Sequence, residues 1–168
     1  MSRGRWIPPE PRPSCPRWPR PWTPPTTRAW YRDVKPANVL LDRGDRAYLT
    51  DFGLTKRRES VSGLTKTGQF LGTVDYAAPE QFEGKPLDRR ADVYSLGCVA
   101  FECLTGKVPY PRETEVAAMF AHIKDPVPAP SALRPELGRG VDAAVSRAMA
   151  KSPDRRPPTA GAFADDLR

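Results

Sequence analysis

The sequence predicts a mainly helical domain with one small β-hairpin on its N-terminal side. Two short apolar segments, 39–41 and 47–49, are separated by a cluster of turn residues, which is the pattern of two strands joined in a hairpin. Farther along, residues 88–104 form a long apolar stretch, and apolar residues recur at helical spacing in later segments. A chain of 168 residues is long enough for one domain of ordinary size.

The helices are predicted from their ends and from the spacing of their apolar residues. The longest has a polar start at Asp88, and Gly106 follows as a C-terminal stop. Thr159 is a good N-cap for a last helix. Apolar residues at helical spacing define the remaining helices: Val116, Met119, Phe120 and Ile123; Val141, Ala144, Val145, Ala148 and Met149; and, facing inward, Phe163 and Leu167.

Residues 1–30 differ from the rest because Pro, Arg and Trp dominate them. Proline fixes φ and removes a backbone donor, so we expect polyproline II or disorder here. This tail holds six of the 27 Lys and Arg residues and one of the 20 acidic residues, which is about +5 of the net +7. The basic charge therefore says little about the domain. A ligand for proline-recognition modules, a basic nucleic-acid arm and an out-of-frame translation are alternative interpretations of the tail.

Cysteine and histidine offer no chemistry in this sequence. Cys98 and Cys103 share the longest predicted helix, where five residues of separation rotate them apart, and Cys15 lies in the tail. His122 stands alone beside an apolar stripe, so a structural or surface role is expected. No stretch of about twenty apolar residues and no signal-peptide core occurs, so we expect a cytoplasmic protein.

Two motifs flank the predicted hairpin. Residues 31–38 read Tyr-Arg-Asp-Val-Lys-Pro-Ala-Asn, and residues 51–53 read Asp-Phe-Gly. The hairpin between them presents Asn38 and Asp51 at adjacent ends, which shared coordination of a metal ion requires. Each motif alone is weak, because Asp-Phe-Gly is most often a turn after a strand.

Further motifs follow in a fixed order. They are Gly72-Thr73, Tyr76-Ala77-Ala78-Pro79-Glu80, Asp92-Val93-Tyr94-Ser95-Leu96-Gly97 and Arg156-Pro157. With the first two, they resemble the protein kinase family, and in particular the bacterial-type serine/threonine kinases. The resemblance covers about residues 31–168, some four fifths of the chain.

The resemblance implies a kinase large lobe and transfer of the ATP γ-phosphoryl group to a Ser or Thr hydroxyl of a protein substrate. It implies that Asp33 accepts the hydroxyl proton and that Asn38 and Asp51 bind Mg²⁺ on the ATP phosphates. Lys35 would neutralise charge on the γ-phosphoryl group, and the Thr73 hydroxyl would bridge Asp33 and Lys35. Nucleic-acid and membrane partners are not expected.

The polar segment 56–70 has no apolar periodicity and is predicted to be a mobile surface loop. By resemblance it is the activation segment, and Thr65 and Thr67 match the paired threonines that are phosphorylated in bacterial receptor-type kinases. A phosphate there adds nearly two negative charges, for which Arg32 is the expected partner. The alternative is that both threonines are ordinary solvated loop residues.

Three further residues have structural roles by resemblance. Glu80 and Arg156 resemble a buried ion pair that ties the end of the activation segment to the C-terminal region. Asp92, near the start of the longest helix, would accept hydrogen bonds from the backbone of the catalytic loop.

The kinase small lobe has no counterpart in the sequence. No Gly-x-Gly-x-x-Gly lies upstream of Asp33, no Val-Ala-x-Lys occurs, and about thirty residues precede the catalytic loop. We therefore expect residues 31–168 to be a partial kinase domain with the N-terminal lobe absent. The alternative function is a catalytically dead fragment that acts as a binding or regulatory module, or a non-functional gene remnant.

Overall fold

The structure is a computed structural model that describes residues 34–43, 47–50 and 74–168. Two strands, β1 (Val39–Leu41) and β2 (Ala47–Leu49), pair in antiparallel register with Leu40 opposite Tyr48. The described helices are α1 (Pro79–Phe82), α2 (Arg89–Thr105), α3 (Glu115–Lys124), α4 (Gly138–Ala148) and α5 (Ala160–Asp166). Short 3-10 turns connect them at Pro36–Asn38, Val74–Tyr76, Pro130–Ala132, Pro135–Leu137 and Pro153–Arg155. The described part is mostly helical, as predicted.

The central helix α2 has the ends that the sequence predicts. The Asp88 carboxylate accepts a hydrogen bond from the Arg90 N–H at 2.8 Å, which satisfies one of the free donors of the first turn. Gly106 ends the helix at φ 74°, a left-handed conformation that glycine adopts without a steric cost. Cys98 is buried and Cys103 is exposed, so the two thiols do point apart.

Helices α2 and α4 pack closely at Gly97. A Cβ atom at this position would lie 2.9 Å from the Met149 Cγ and 3.0 Å from the Ala148 Cβ, which is too close for either. The absence of a side chain at Gly97 therefore allows the two helices to approach. The core around this contact contains Tyr94, Cys98, Phe101, Val145, Met149 and Phe163, each almost fully buried.

The last two helices also follow the prediction. Ala144, Val145, Ala148 and Met149 are buried. The Thr159 hydroxyl accepts a hydrogen bond from the Ala162 N–H at 3.1 Å and so caps α5. Phe163 is buried, and Leu167 is half-buried against the core.

The apolar residues that predict α3 are only partly buried. Met119 and Ile123 are half-buried and Val116 and Phe120 are 60% and 55% exposed, whereas Ala118, Ala121 and His122 are buried. The alanine face is inside because small side chains let α3 approach α1 and the 3-10 turn Val74–Tyr76. The spacing thus predicts the helix correctly, but it does not show which face is most buried.

Candidate active site

The described residues contain part of the predicted site. Lys35 and Asn38 lie within them, beside β1. The other residues predicted for catalysis, metal binding or phosphorylation lie outside the described residues: Arg32, Asp33, Asp51, Thr65, Thr67 and Thr73.

Asn38 is fixed by its own turn. Pro36 begins a 3-10 turn, where its fixed φ suits the first position and its missing N–H is not needed. The Asn38 N–H donates to the Lys35 carbonyl oxygen at 3.0 Å, and Asn38 is only 7% exposed. The residue therefore occupies a defined position at the start of the hairpin.

The two ends of the hairpin are joined at Asn38. The Thr50 N–H donates to the Asn38 carbonyl oxygen at 2.7 Å, and the Thr50 hydroxyl donates to the same oxygen at 3.1 Å. Thr50 immediately precedes Asp51 in the sequence. The double hydrogen bond thus holds the chain, one residue before Asp51, against Asn38.

The donor set fits a magnesium ion. An asparagine amide oxygen and an aspartate carboxylate are hard oxygen ligands, and Mg²⁺ in nucleotide sites typically takes one or two protein oxygens, with phosphates and water completing its shell. Asn38 is buried at the end of the hairpin that leads to Asp51. Of the two predicted ligands, the structure describes Asn38, whereas Asp51 lies outside the described residues.

Glu80 and Arg156 form a buried ion pair in the helical region. The two Arg156 terminal nitrogens donate to the two Glu80 carboxylate oxygens at 2.6 and 2.8 Å, and each residue is 4% exposed. Arg156 also donates to the carbonyl oxygens of Arg90, Ala150 and Lys151. Every donor direction of the guanidinium is thereby used, which is the condition under which a buried charge is tolerated.

A second buried polar group is His122, which the sequence indicated only as a lone histidine beside an apolar stripe. Its Nδ1 lies 2.8 Å from the Tyr94 hydroxyl, and the Tyr110 ring meets it edge-on at 4.9 Å. The Lys151 ammonium donates to the His122 carbonyl oxygen at 2.7 Å and to the Tyr110 hydroxyl at 3.0 Å. These partners are 12 to 29 residues away from His122, so no local sequence pattern predicts the contacts.

Burial determines the charge states in this cluster. Burial, with a smaller effect from the Lys151 ammonium, lowers the pKa of His122 to about 4. Burial likewise lowers the pKa of Lys151 to about 8. His122 is therefore neutral at physiological pH and serves as a packed hydrogen-bonding group between α2 and α3.

Asp92 lies in the first turn of α2. A carboxylate in that turn interacts favourably with the positive end of the helix dipole. Its predicted hydrogen bonds with the catalytic-loop backbone concern a segment that is largely outside the described residues.

Comparison with known protein families shows which family the chain belongs to. The family model for the protein kinase domain matches residues 26–165. The chain belongs to the protein kinase family. The resemblance inferred from the ordered motifs is thereby confirmed.

Among curated proteins, the chain is similar to three mycobacterial serine/threonine-protein kinases. It is 44% identical over 134 residues to PknH and 46% identical over 135 residues to PknD, both from Mycobacterium tuberculosis, with 80% of the chain covered in each case. It is 44% identical over 133 residues to PknE of the same organism, with 79% covered. The matches cover 21%, 20% and 23% of these relatives, so the chain spans about a fifth of their length.

Within the part of the chain that the structure describes, none of the helices combines the length and the apolar character needed to cross a membrane. The longest of them, α2, has 17 residues and carries charged side chains in its first turn.

Proposed function

We propose that residues 31–168 are the large lobe of a serine/threonine kinase that transfers the ATP γ-phosphoryl group to a protein hydroxyl. The observation that carries the proposal is the double hydrogen bond from Thr50 to the Asn38 carbonyl oxygen. It supports a close approach of Asn38 and Asp51, the two oxygen ligands that phosphoryl transfer needs on its metal ion.

In this proposal each polar residue has one task. Asp33 accepts the proton of the substrate hydroxyl. The hydroxyl oxygen bonds to the γ-phosphorus of ATP, and the bond between the γ-phosphorus and the β,γ-bridging oxygen breaks. Lys35 neutralises charge on the transferred group, and Thr73 bridges Asp33 and Lys35 through its hydroxyl. Asn38 and Asp51 hold Mg²⁺, which supplies charge neutralisation on the phosphates when bound.

Regulation and location belong to the same proposal. Phosphorylation of Thr65 or Thr67 would place a dianion near Arg32 and order the activation segment. The Glu80–Arg156 pair anchors the C-terminal end of that segment to the helical region, and Asp92 supports the catalytic loop. The substrate would be a cytoplasmic protein with a Ser or Thr acceptor.

The 168 residues alone are not expected to be an active kinase. They contain neither a Gly-rich phosphate loop nor a strand lysine, and each lost charge-assisted hydrogen bond removes about 1.5–3 kcal/mol of nucleotide affinity. We expect an ATP dissociation constant of about 1 mM or weaker for this chain.

The test is a fused kinase in which the small lobe of a related kinase, with the helices that lead into its catalytic loop, is joined to residues 31–168. Replacement of the proton acceptor (Asp33→Ala) or of a metal ligand (Asp51→Ala) should lower phosphoryl transfer by about a hundredfold or more. Asp42→Ala is the matched control, because Asp42 is an exposed aspartate of the same hairpin that accepts a hydrogen bond from the Tyr48 hydroxyl and has no proposed part in catalysis or metal binding. The rate is measured as incorporation of labelled phosphate into a Ser/Thr substrate.

A fused kinase that retains near-full activity with Asp33→Ala or Asp51→Ala would overturn the proposal. Phosphate incorporation by the unfused chain that Asp33→Ala abolishes would overturn only the expectation that this chain is inactive alone, because the chain would then be a minimal kinase.

A further inference from the structure

The C-terminal end of α4 borders an open cavity of about 660 Å³. Its polar wall combines cations with hydroxyl groups, contributed by Arg147, Lys151, Arg155, Ser146 and Ser152. Small aliphatic side chains form the rest of the wall, and no acidic side chain of the described residues lines it. Positive charge together with hydroxyl donors is the chemistry that recognises an anion with several oxygen atoms.

Two of the cations are available to a ligand. Arg155 is exposed, and within the described part of the chain no group pairs with its guanidinium. The Arg147 Nη1 donates to the two Asp166 carboxylate oxygens at 3.2 and 3.0 Å, but the Arg147 side chain is 52% exposed. A guanidinium can donate two parallel hydrogen bonds to a phosphate group, so these two arginines can supply directional contacts.

Lys151 contributes charge rather than a free donor. Its ammonium group donates to two carbonyl oxygens near the end of α3 and to the Tyr110 hydroxyl, which uses its three hydrogens. The peptide groups after α4 do not cancel this charge, because Arg156 donates to the carbonyl oxygens of Ala150 and Lys151. The cavity therefore remains electropositive although a helix ends beside it.

We propose that this α4 cavity binds a phosphorylated side chain of a protein partner. A phosphate monoester carries nearly two negative charges at neutral pH and has three terminal oxygens, so it can accept from both arginines and from the serine hydroxyls. A single carboxylate would leave more of the positive charge uncompensated. The cavity is open to solvent, so a side chain that projects from a peptide can enter it.

Fluorescence anisotropy of a labelled peptide with one phosphoserine among glycine and alanine residues tests the proposal on the full chain, at about 0.15 M salt. Arg155→Gln should weaken binding by about fivefold, because it removes a cation that has no other described partner. Arg139→Gln is the matched control and should leave the affinity unchanged, since Arg139 is an exposed arginine of α4 that does not line the cavity. Far-UV circular dichroism follows the helix content of every variant.

Two variants on α5 separate the cavity from a general effect of charge. Asp166→Asn removes the carboxylate that competes for Arg147 and should tighten binding by about threefold. Asp165→Asn changes the net charge equally, but it acts on an exposed pair with Arg168 and should leave the affinity unchanged.

Equal effects of Arg155→Gln and Arg139→Gln, or of the two α5 variants, would overturn the proposal, because general charge would then explain the binding. Absence of binding would overturn it as well. So would equal affinity for a peptide with aspartate in place of phosphoserine, or for inorganic phosphate, because the ligand would then be a carboxylate or a free ion. None of these readouts involves nucleotide, so the outcome is independent of the proposed kinase function.

Discussion

The hairpin, described at residues 34–43 and 47–50, and the helical region, residues 74–168, are stabilised in different ways. In the helical region some polar contacts are buried and link distant residues, as in the Glu80–Arg156 pair, whose partners are 76 residues apart. In the hairpin the candidate site depends on short backbone bonds around Asn38, and Leu40 and Tyr48 remain exposed on one face. The helical region should therefore determine global stability, whereas the hairpin should determine chemistry.

The largest effect is expected from breaking the buried ion pair. Glu80→Ala leaves the Arg156 guanidinium buried without its carboxylate, which should lower the free energy of unfolding by about 3–5 kcal/mol. The measurement is urea unfolding followed by circular dichroism of the helices. Glu83→Ala is the control, because its pair with Lys85 is largely exposed and should contribute about 1 kcal/mol at most.

The difference between these two variants in lost free energy of unfolding tests the comparison between the helical region and the hairpin. If Glu80→Ala is no more destabilising than Glu83→Ala, the helical region is not organised around the buried pair. Long-range burial would then not distinguish this region from the hairpin.

The predictability of the helical region depends on how local each feature is. Asp88 and Gly106 predicted the ends of α2 correctly because capping is decided by the nearest few residues. The buried face of α3 was not predictable, because it depends on which neighbour accepts close packing. The contacts of His122 were also not predictable, since Tyr94 and Tyr110 come from other segments of the chain.

A smaller effect is expected from His122, and it should depend on pH. The pKa of His122 is about 4 in the folded state and 6.5 in the ordinary case, so the folded state disfavours the protonated form. The stability from this group is complete above about pH 6.5 and is lost as pH falls toward 4, by at most roughly 3 kcal/mol. Free energies of unfolding measured across this interval should show the decline.

His122→Gln isolates this contribution, because it keeps a hydrogen-bonding group near Tyr94 but does not titrate. The other groups around His122 behave differently. Lys151 has a pKa of about 8 and stays charged below pH 6.5, and Tyr94 and Tyr110, whose pKa values are raised, stay neutral. The pKa of Asp75 is raised, so its contribution to stability increases as pH falls, which is opposite to the effect of His122. Equal slopes for wild type and His122→Gln between pH 6.5 and 4 would show that His122 is not buried in its neutral form.

The candidate site shows the same division between local and distant information. The closeness of the two hairpin ends at Asn38 and Thr50 is predictable, because two strands and a turn leave little choice of register. The role of Thr50 was not predicted from the sequence. A threonine at a strand end is common, and only the structure shows its hydroxyl on the Asn38 carbonyl oxygen.

The smallest effect, and the sharpest separation of the two regions, is expected from Thr50→Val. This change keeps the side-chain shape and the backbone bond to Asn38 but removes the hydroxyl bond, which is worth about 0.5–1.5 kcal/mol. Thr105→Val is the control in the helical region, since it removes the hydroxyl bond to the Phe101 carbonyl oxygen together with the contacts of the same hydroxyl to the Lys107 backbone at the end of α2. In the fused kinase, Thr50→Val should reduce phosphoryl transfer by up to about tenfold, whereas Thr105→Val should reduce only the stability. Equal rates for the two variants would mean that the Thr50 hydroxyl does not position the site, and that the hairpin contributes to the chemistry through its backbone alone.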